Sequence, residues 1–420
     1  MKRKIAIVGA GQAGLQLALG LAGADQEVTL VTDRAAEQIG SGRVLSTQCM
    51  FGESLATERS LGIDFWQDEC PQIKGVRYSL GEPGGDLALQ FGGRLRAPAQ
   101  SVDQRLKMPA WMDELERRGG RIELRDLDLE YVEQLAREND LLVVASGKGA
   151  FGKLLPEIFP TQPRYSPYEK PQRQLAVAYV RGMEDLDLNY FSICIVPGVG
   201  EYFCGPALTL DGPCYTLCFE AIPGGDMDRW GDVSLDEVDR HWEICKEVLE
   251  RHFPWEAERA RNCELTDDLG ILKGALTPVV RDRVGHLPSG APVLGVGDAV
   301  VLNDPLVGQG ANNASKGTTV VLQEILDRES GDLDEEWMRV AGRRYWETVR
   351  FAARFTNMML NPPPYVGNLF DEANANPAVA DHLANGTNNP ATLFPWIMNA
   401  EGVEALAHEL APTASAQVAG

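Results

Sequence analysis

The chain has 420 residues, of which 44% are hydrophobic, and it carries a formal net charge of -22. This length suffices for two domains or for one large two-lobed domain. The negative charge excludes nucleic acid and anionic membranes as expected partners, because both would repel the chain. No apolar stretch reaches the roughly 18 residues that span a bilayer. The eight cysteines are scattered along the sequence, which together with the absence of an apolar signal region predicts a cytoplasmic protein with reduced thiols.

A glycine-rich segment follows the first apolar run, residues 5–8. We expect a buried strand, a tight turn at Gly9 and then a helix. Gly11 allows the backbone to approach a pyrophosphate, and Gly14 allows close packing of the helix on its strand. A bare glycine turn is the alternative. The cofactor-binding residues predicted here are Gly9, Gly11, Gln12, Ala13 and Gly14.

The second predicted strand, residues 28–31, leads to the position where a carboxylate usually binds the ribose of a dinucleotide. Thr32 lies nearer that position than Asp33, and Arg34 follows. We assign all three to the cofactor site. A threonine hydroxyl would hold the ribose less firmly than a carboxylate, which predicts weaker binding of the adenosine.

The remaining elements predict an α/β fold with an insertion. A helix at 105–118, a strand at 121–124, a helix at 129–137 and a buried strand at 140–147 complete a first region, residues 1–165, which contains pocket segments at 43–50 and 73–99. Gly- and Pro-containing turns join short strands predicted at 175–180, 191–196 and 214–219, which indicates an antiparallel substrate domain at 166–275. The chain then returns to the first domain at 276–330. A helical region follows at 331–410, and the small polar residues 411–420 predict a disordered tail.

Two constellations raise the possibility of a metal site. Cys214 and Cys218 are the closest cysteine pair, and His241, Cys245 and His252 share a helical face. The first pair has no histidine nearby, and the helix is amphipathic. We therefore predict packing roles and no metal.

A second glycine-rich strand-to-helix junction starts at Asp298 and extends over 303–312. Two such junctions suit a cofactor with two ends. Backbone N–H groups at 308–311 would face the flavin N1/C2=O edge and stabilise negative charge on a reduced ring, while Asp298 would bind ribityl hydroxyls. The cofactor-binding residues predicted from this junction and from the end of the strand at 140–147 are Gly147, Asp298, Pro305, Gly308, Gln309, Gly310, Ala311 and Asn312.

These segments together resemble the styrene/indole monooxygenase family, the oxygenase halves of two-component flavoprotein systems. The resemblance runs nearly end to end and rests on residues 7–11, 28–29, 32–34, 97–98, 102–103, 105–106, 140–144, 169–173 and 304–312. It implies a para-hydroxybenzoate hydroxylase-like fold: a Rossmann-like FAD-binding domain, an inserted antiparallel-sheet substrate domain and a helical C-terminus. The Asp-Gly motif of single-component hydroxylases and the Trp-x-Trp-x-Ile motif of flavin halogenases do not occur in the sequence.

The resemblance also implies the substrate pocket. Styrene-type members carry Asn, Val and His where this chain has Ser46, Gln48 and Met50, and Ser-Gln-Met is similar to the indole type. Ile73 and Ala99 agree with that type, whereas Val76 replaces the usual isoleucine. Arg43 and Arg105 would bind FAD, the second through its phosphates.

The implied activity is oxidation of indole at C2=C3 by O₂ through a flavin C4a-hydroperoxide, giving 3-hydroxyindole and then indigo. FAD would arrive reduced from a separate NADH:flavin oxidoreductase, by diffusion. No side chain is expected to be catalytic, because the flavin carries the chemistry. The alternatives are a styrene monooxygenase, a single-component NAD(P)H-dependent hydroxylase and a non-enzymatic escort protein on a related fold.

Overall fold

The computed structural model describes residues 2–147 and 149–411. The strands are β1 (Lys4–Val8), β2 (Glu27–Thr32), β3 (Ile73–Gly81), β4 (Leu87–Ala99), β5 (Arg121–Leu124), β6 (Leu141–Val144), β7 (Gln174–Arg181), β8 (Phe191–Val196), β9 (Gly200–Thr209), β10 (Gly212–Ala221), β11 (Glu264–Leu265), β12 (Ile271–Ala275), β13 (Val279–Val280), β14 (Val284–His286), β15 (Pro292–Gly295) and β16 (Val301–Leu302). The helices are α1 (Gln12–Gly23), α2 (Ala36–Gly40), α3 (Gly52–Ser60), α4 (Gln104–Arg117), α5 (Leu129–Glu138), α6 (Gly149–Gly152), α7 (Leu155–Ile158), α8 (Val238–His252), α9 (Pro254–Arg259), α10 (Gly310–Leu326), α11 (Glu335–Leu360), α12 (Val366–Ala375), α13 (Pro377–Asn388) and α14 (Ala400–Glu409).

The first sheet has the strand order β14-β15-β6-β1-β2-β5 and is parallel except for β14. Its central strands are continuous apolar runs because helices cover both faces. The four residues from Ile5 to Val8 are fully buried. Helix α1 packs beside α10, where Gln16 Nε2 donates to the carbonyl of Ser315 at 2.9 Å. The sheet thus brings the ends of β1, β2, β6 and β15 to one edge.

The second sheet has the order β11-β7-β10-β9-β8-β3-β4, with β12 also paired to β7. It is antiparallel apart from the β3–β8 pair. Strands β7 to β10 alternate between a face packed on α8 and α9 and an opposite face. Along β10, for example, Leu217 and Phe219 lie in the core with α8, whereas Cys218 faces the other way.

The sequence-predicted α/β class is confirmed. The strand predicted at 191–196 is present with the same bounds, and those predicted at 175–180 and 214–219 are present with small extensions. Segment 73–99, which the sequence predicts to be part of the first region, instead supplies two strands of the second sheet. Apart from Ala411, the predicted tail 411–420 lies outside the described residues.

The helices after α10 close the molecule over both sheets. Helix α11 packs along α10 and the β14–β15 edge, and α13 lies on β4. The contact with β4 is close: a Cβ at Gly93 would lie 2.1 Å from the carbonyl oxygen of Ala380. This packing places Thr387, near the end of α13, beside the loop that precedes α10.

Candidate active site

A cavity of about 670 Å³ lies between the two sheets. This volume is within the range of small-molecule and cofactor sites. One boundary is the edge where β1, β2, β6 and β15 end, which is where open α/β sheets bind ligands. The other boundary is the inward face of the second sheet. The predicted cofactor residues in its lining are Gly9, Gly11, Gln12, Ala13, Thr32, Asp33, Arg34, Gly147, Asp298, Pro305, Gly308, Gly310 and Ala311.

The turn after β1 forms one end of the cavity. Gly9 has a φ of 110°, a conformation that favours glycine, and its N–H donates to Val31 at 2.8 Å. Gly11 is the N-cap of α1 and, as a glycine, has no side chain to bond the first N–H groups of the helix. Because Gly11, Gln12 and Ala13 line the cavity, these N–H groups face it. Gly14 lies behind the lining, and a Cβ there would come within 1.9 Å of the Gly9 carbonyl oxygen. The three glycines therefore serve a turn, an approach surface and a packing contact.

The end of β2 contributes the next part of the wall. Thr32 is buried, and its hydroxyl lies 3.4 Å from the backbone nitrogen of Arg34. Asp33 is half-exposed and lies 3.8 Å from the Arg34 guanidinium. The polar groups at the predicted ribose position are therefore the Thr32 hydroxyl and the exposed Asp33–Arg34 ion pair.

The ends of β6 and β15 meet across the cavity wall. A Cβ at Gly147 would lie 2.4 Å from the Cβ of Asp298, so glycine permits the two loops to approach. Gly297, with a φ of 59°, donates its N–H to the hydroxyl of Tyr345 at 3.0 Å. This contact anchors the turn that presents Asp298.

The loop before α10 forms the middle of the cavity. Gly308 is left-handed, with a φ of 65°, and the loop brings it together with Gly310 and Ala311 in the lining. Gln309 and Asn312 are fully buried behind them. Gln309 donates to the Thr387 carbonyl at 2.7 Å, and Asn312 donates to the Cys49 carbonyl at 2.8 Å. These two predicted cofactor residues therefore hold the loop in place from outside the described lining.

The cavity fits a cofactor with a phosphate end and a flat, electron-rich end. Two helix N-termini, those of α1 and α10, face it, and such ends favour negative charge. A Cβ built at Gly11, Gly308 or Gly310 would meet nothing within 4 Å among the described residues. The space in front of these backbones is open for a ligand.

The wall from the second sheet is mainly apolar. Its apolar side chains are Val76, Phe191, Ile193 and Phe203. Residues of β8 alternate, so Phe191 and Ile193 face the cavity while Cys194 packs in the opposite core. The sequence indicated Val76 as a pocket residue but did not indicate Phe191 and Phe203. The ring centroids of these two phenylalanines lie 6.4 Å apart. The period-two pattern of residues 191–196 was the available signal.

Ser46 and Gln48 lie in the lining of the cavity. Gln104 donates to the Ser46 hydroxyl at 2.6 Å. Gln48 is buried, and its Nε2 donates to the Val102 carbonyl at 3.3 Å. That carbonyl fixes the amide orientation, because it can only accept. The Oε1 atom of Gln48 consequently remains buried without a hydrogen-bond partner among the described residues.

Three predicted pocket residues lie behind the wall and outside the described lining. Met50 is 1% exposed and pairs through its backbone with Gln100, at N–O distances of 2.8 and 3.0 Å. Ile73 and Ala99 are fully buried in a small cluster with Phe51. Their packing shapes the wall from behind, and their contact with the substrate stays a prediction.

Two further predicted cofactor residues, Arg43 and Arg105, contact protein groups around the cavity. Arg43 donates to the backbone carbonyls of Asp268, Ile271 and Leu235 at 3.2–3.3 Å. The Arg105 guanidinium is buried and engages Asp103, Thr209 and Asp267 at 2.9–3.1 Å. Neither side chain belongs to the described lining. Their donors are used by neighbouring carbonyls and carboxylates, so both arginines join elements around the cavity.

The role of Arg105 is testable. We expect Arg105→Met to lower the free energy of unfolding by about 3–5 kcal/mol, because the buried carboxylate of Asp103 loses its partner. The FAD affinity of the folded protein should change less than twofold. Denaturant unfolding and FAD titration measure the two quantities. A large loss of FAD affinity with little loss of stability would instead place Arg105 on the cofactor.

His241 and Cys245 of helix α8 have packing roles. His241 Nε2 lies 3.1 Å from the Val177 carbonyl, and burial lowers the pKa of this imidazole to about 4. Cys245 is buried in the core of the same face. Across the described chain, no group of three or more His, Cys, Asp or Glu side chains is arranged to hold a metal ion.

Comparison with known proteins decides the family. Two curated relatives, each named styrene monooxygenase StyA, from Pseudomonas fluorescens and from a Pseudomonas species, are 33% identical over 99% of this chain and 100% of their own length. The chain belongs to the styrene monooxygenase family. A family model described as "Styrene monooxygenase A putative substrate binding domain" matches residues 147–259, which include strands β7 to β10 of the cavity wall.

Solved structures agree with this family assignment at the level of the fold. The flavin-dependent brominase Bmp2 superposes with a TM-score of 0.67 at 15% identity, covering 97% of this chain and 98% of the other. The p-nitrophenol 4-monooxygenase PnpA from Pseudomonas putida DLL-E4 gives 0.61 at 14% identity, covering 93% and 98%. This member of the styrene monooxygenase family therefore has the flavin monooxygenase and halogenase fold. No helix in the described ranges is long and apolar enough to cross a membrane.

Proposed function

We propose that this chain is the FAD-dependent oxygenase component of a two-component monooxygenase and that its substrate is indole. One observation carries the proposal: a single cavity joins a dinucleotide-type glycine turn to an apolar wall, and beside that wall the Gln48 Oε1 is buried as an unpaired acceptor among the described residues. Indole has the matching shape and one N–H donor. Oxidation at its C2=C3 bond gives an epoxide that opens to 3-hydroxyindole and then forms indigo.

FAD would lie along the cavity with its pyrophosphate at the turn of Gly9–Ala13. Thr32 and Asp33 would face the adenosine ribose, and Asp298 the ribityl hydroxyls. The isoalloxazine would lie against Pro305 and the N–H groups of 308–311. Bound reduced FAD would supply the two electrons that activate O₂, and the transferred oxygen atom would come from O₂. The protein's own task is to bind, orient and exclude water.

The apolar wall orients the substrate. Val76, Phe191 and Phe203 would pack against the ring system, and their rigid surfaces exclude water from it. The Gln48 carbonyl oxygen would accept the indole N–H, which fixes the rotation of the ring in its plane. Ser46 is less suited to this task because its oxygen already accepts from Gln104.

Styrene is the second candidate. The curated relatives are named styrene monooxygenases, and the apolar wall also suits a vinylbenzene. Styrene would leave the Gln48 acceptor unpaired, and an unmet buried polar group costs about 1–3 kcal/mol. This cost is the reason that we place indole first.

The reduced cofactor would come from a separate NADH:flavin oxidoreductase. The test mixes enzyme, FAD, NADH and indole with and without a supplied reductase. We expect NADH consumption and coloured product only with the reductase. Rapid NADH consumption without it would favour a single-component hydroxylase, and failure to retain flavin under any condition would favour an escort protein.

We expect reduced FAD to bind at least about fivefold more tightly than oxidised FAD. The N-terminus of α10 faces the cavity and would stabilise the anionic reduced ring by about 1 kcal/mol, whereas Thr32 gives the adenosine end a weaker anchor than a carboxylate. Anaerobic titration of each redox form measures the two dissociation constants. Equal constants would contradict the assignment of the 308–311 loop to the ring.

A further inference from the structure

Strand β10 presents a row of three polar side chains to the cavity, at Thr216, Cys218 and Glu220. The alternate residues face the opposite core, so the row follows from the period of a strand. Glu220 is only 1% exposed. A carboxylate at such a depth requires a partner, because burial of an unpaired charge is costly.

The neighbours of Glu220 are short of positive charge. Glu201 lies opposite it on β9, and Arg173 binds Glu201 through two hydrogen bonds of 2.6 and 2.8 Å. Asp304, which begins the loop before α10, is fully buried and interacts with Glu220. Tyr168 also interacts with Asp304. Among the described residues, the charged groups that act on the Glu220–Asp304 pair are the Glu201 carboxylate and the Arg173 guanidinium. Arg173 already binds Glu201.

Each carboxyl group of the pair has an oxygen without a donor among the residues described. Asp304 Oδ1 accepts from the Leu306 N–H at 3.2 Å, but Asp304 Oδ2 and Glu220 Oε2 are buried with no donor in that part of the chain. The two groups act directly on each other, and burial raises the pKa of both, that of Glu220 well above its ordinary value. A proton held between these oxygens gives both a partner, as in other carboxyl pairs that cannot both ionise.

We propose that Glu220 and Asp304 share one proton and that Glu220 delivers it to the reaction in the cavity. The inference rests on the proposed function. When an anionic reduced flavin supplies two electrons to O₂, one oxygen atom enters the substrate and the other leaves as water. The sum is substrate, O₂, FADH⁻ and H⁺ giving oxidised substrate, FAD and H₂O, so one proton is consumed in each turnover.

The position of the pair suits this task. Glu220 belongs to the cavity lining, and Asp304 directly precedes Pro305 of the loop assigned to the flavin ring. Solvent cannot reach either carboxyl group directly. The pair is therefore a proton source that functions after water has been excluded, and a proton from bulk solvent would refill it between turnovers.

The test first uses the flavin-free protein, so that it does not depend on activity. Infrared spectroscopy at neutral pH should show a protonated-carboxyl C=O band that shifts in D₂O. The band should be lost in Glu220→Gln. Thr216→Val, on the same row, is the matched control and should keep it. Absence of the band from the wild type would overturn the shared proton, whatever the substrate proves to be. If Glu220→Gln does not fold, Asp304→Asn takes its place.

The second measurement follows the return of oxidised flavin in a single turnover. We expect the wild-type rate to vary little with pH, and the Glu220→Gln rate to be about 10²-fold lower and to fall further as pH rises, because its proton must come from solvent. Identical pH profiles for the two proteins, with the infrared band lost in the variant, would show that the proton only stabilises the fold and would overturn the delivery role. An enzyme that oxidises neither indole nor styrene would refute the proposed function and leave the infrared result to decide the shared proton.

Discussion

Gly11→Val is expected to abolish FAD binding, with an affinity loss of at least about 100-fold, while the free energy of unfolding changes by about 0.5 kcal/mol or less. Gly11 has φ -92° and ψ -171°, an extended conformation that valine adopts readily. The added side chain meets nothing within 4 Å of its Cβ in the described protein. It would instead occupy the space where the pyrophosphate approaches the start of α1.

The matched control is Gly14→Ala, three residues further along the same motif. Its Cβ would lie 1.9 Å from the Gly9 carbonyl oxygen, so we expect a loss of stability of about 1–3 kcal/mol or more. Thermal unfolding and flavin titration of both variants separate the two roles. Wild-type FAD affinity in Gly11→Val would refute the phosphate position.

Gln48→Val is expected to move the ratio of the kcat/KM values for indole and styrene toward styrene by about 5- to 150-fold. The reason is the loss of the buried Oε1 acceptor, worth about 1–3 kcal/mol when its partner is present. Because both substrates are measured on the same variant, any general effect on stability or FAD binding cancels in the ratio.

Met50→Leu serves as the control for Gln48→Val. Met50 is buried outside the described lining, and a swap of similar volume is usually tolerated. We expect the ratio to stay within twofold of wild type. A large change at position 50 with no change at position 48 would show that wall packing, and not the amide acceptor, selects the substrate.

Local patterns were sufficient to predict the elements that frame the cofactor end. Two glycine-rich junctions each combine strand, turn and helix signals within a few residues. The first is the apolar strand with the glycine motif that starts at Gly9, and the second lies at 297–312. The structure places their backbones around one cavity. The Gly- and Pro-containing turns likewise predicted β8 and β10, because turn signals flank each strand in the sequence.

The features that the sequence did not indicate are contacts between distant segments. Strand β4 contains Gly92, Gly93 and Pro98, which weaken a strand signal, and Gly93 is explained only by the approach of α13. Arg105 was assigned to phosphates by resemblance, but Asp267, more than 160 residues away, binds its guanidinium. No local pattern carries that information.

The pocket residues were subject to the same limit. Resemblance identified the segment around 46–50 as a whole, yet it could not distinguish Gln48, which lines the cavity, from Met50, which packs behind it. Glu220 was overlooked although a glutamate in an apolar, alternating strand is an available signal of a buried functional group.

The most direct test of the account supplies the enzyme with FAD, NADH, a separate flavin reductase and equal concentrations of indole and styrene, and quantifies both products over the same interval. We predict that products derived from 3-hydroxyindole, including indigo, exceed styrene oxide by at least about fivefold, the lower value expected for an unpaired Gln48 acceptor. Predominance of styrene oxide would contradict the indole assignment, and the absence of both products under reductase-dependent flavin reduction would contradict the monooxygenase assignment itself.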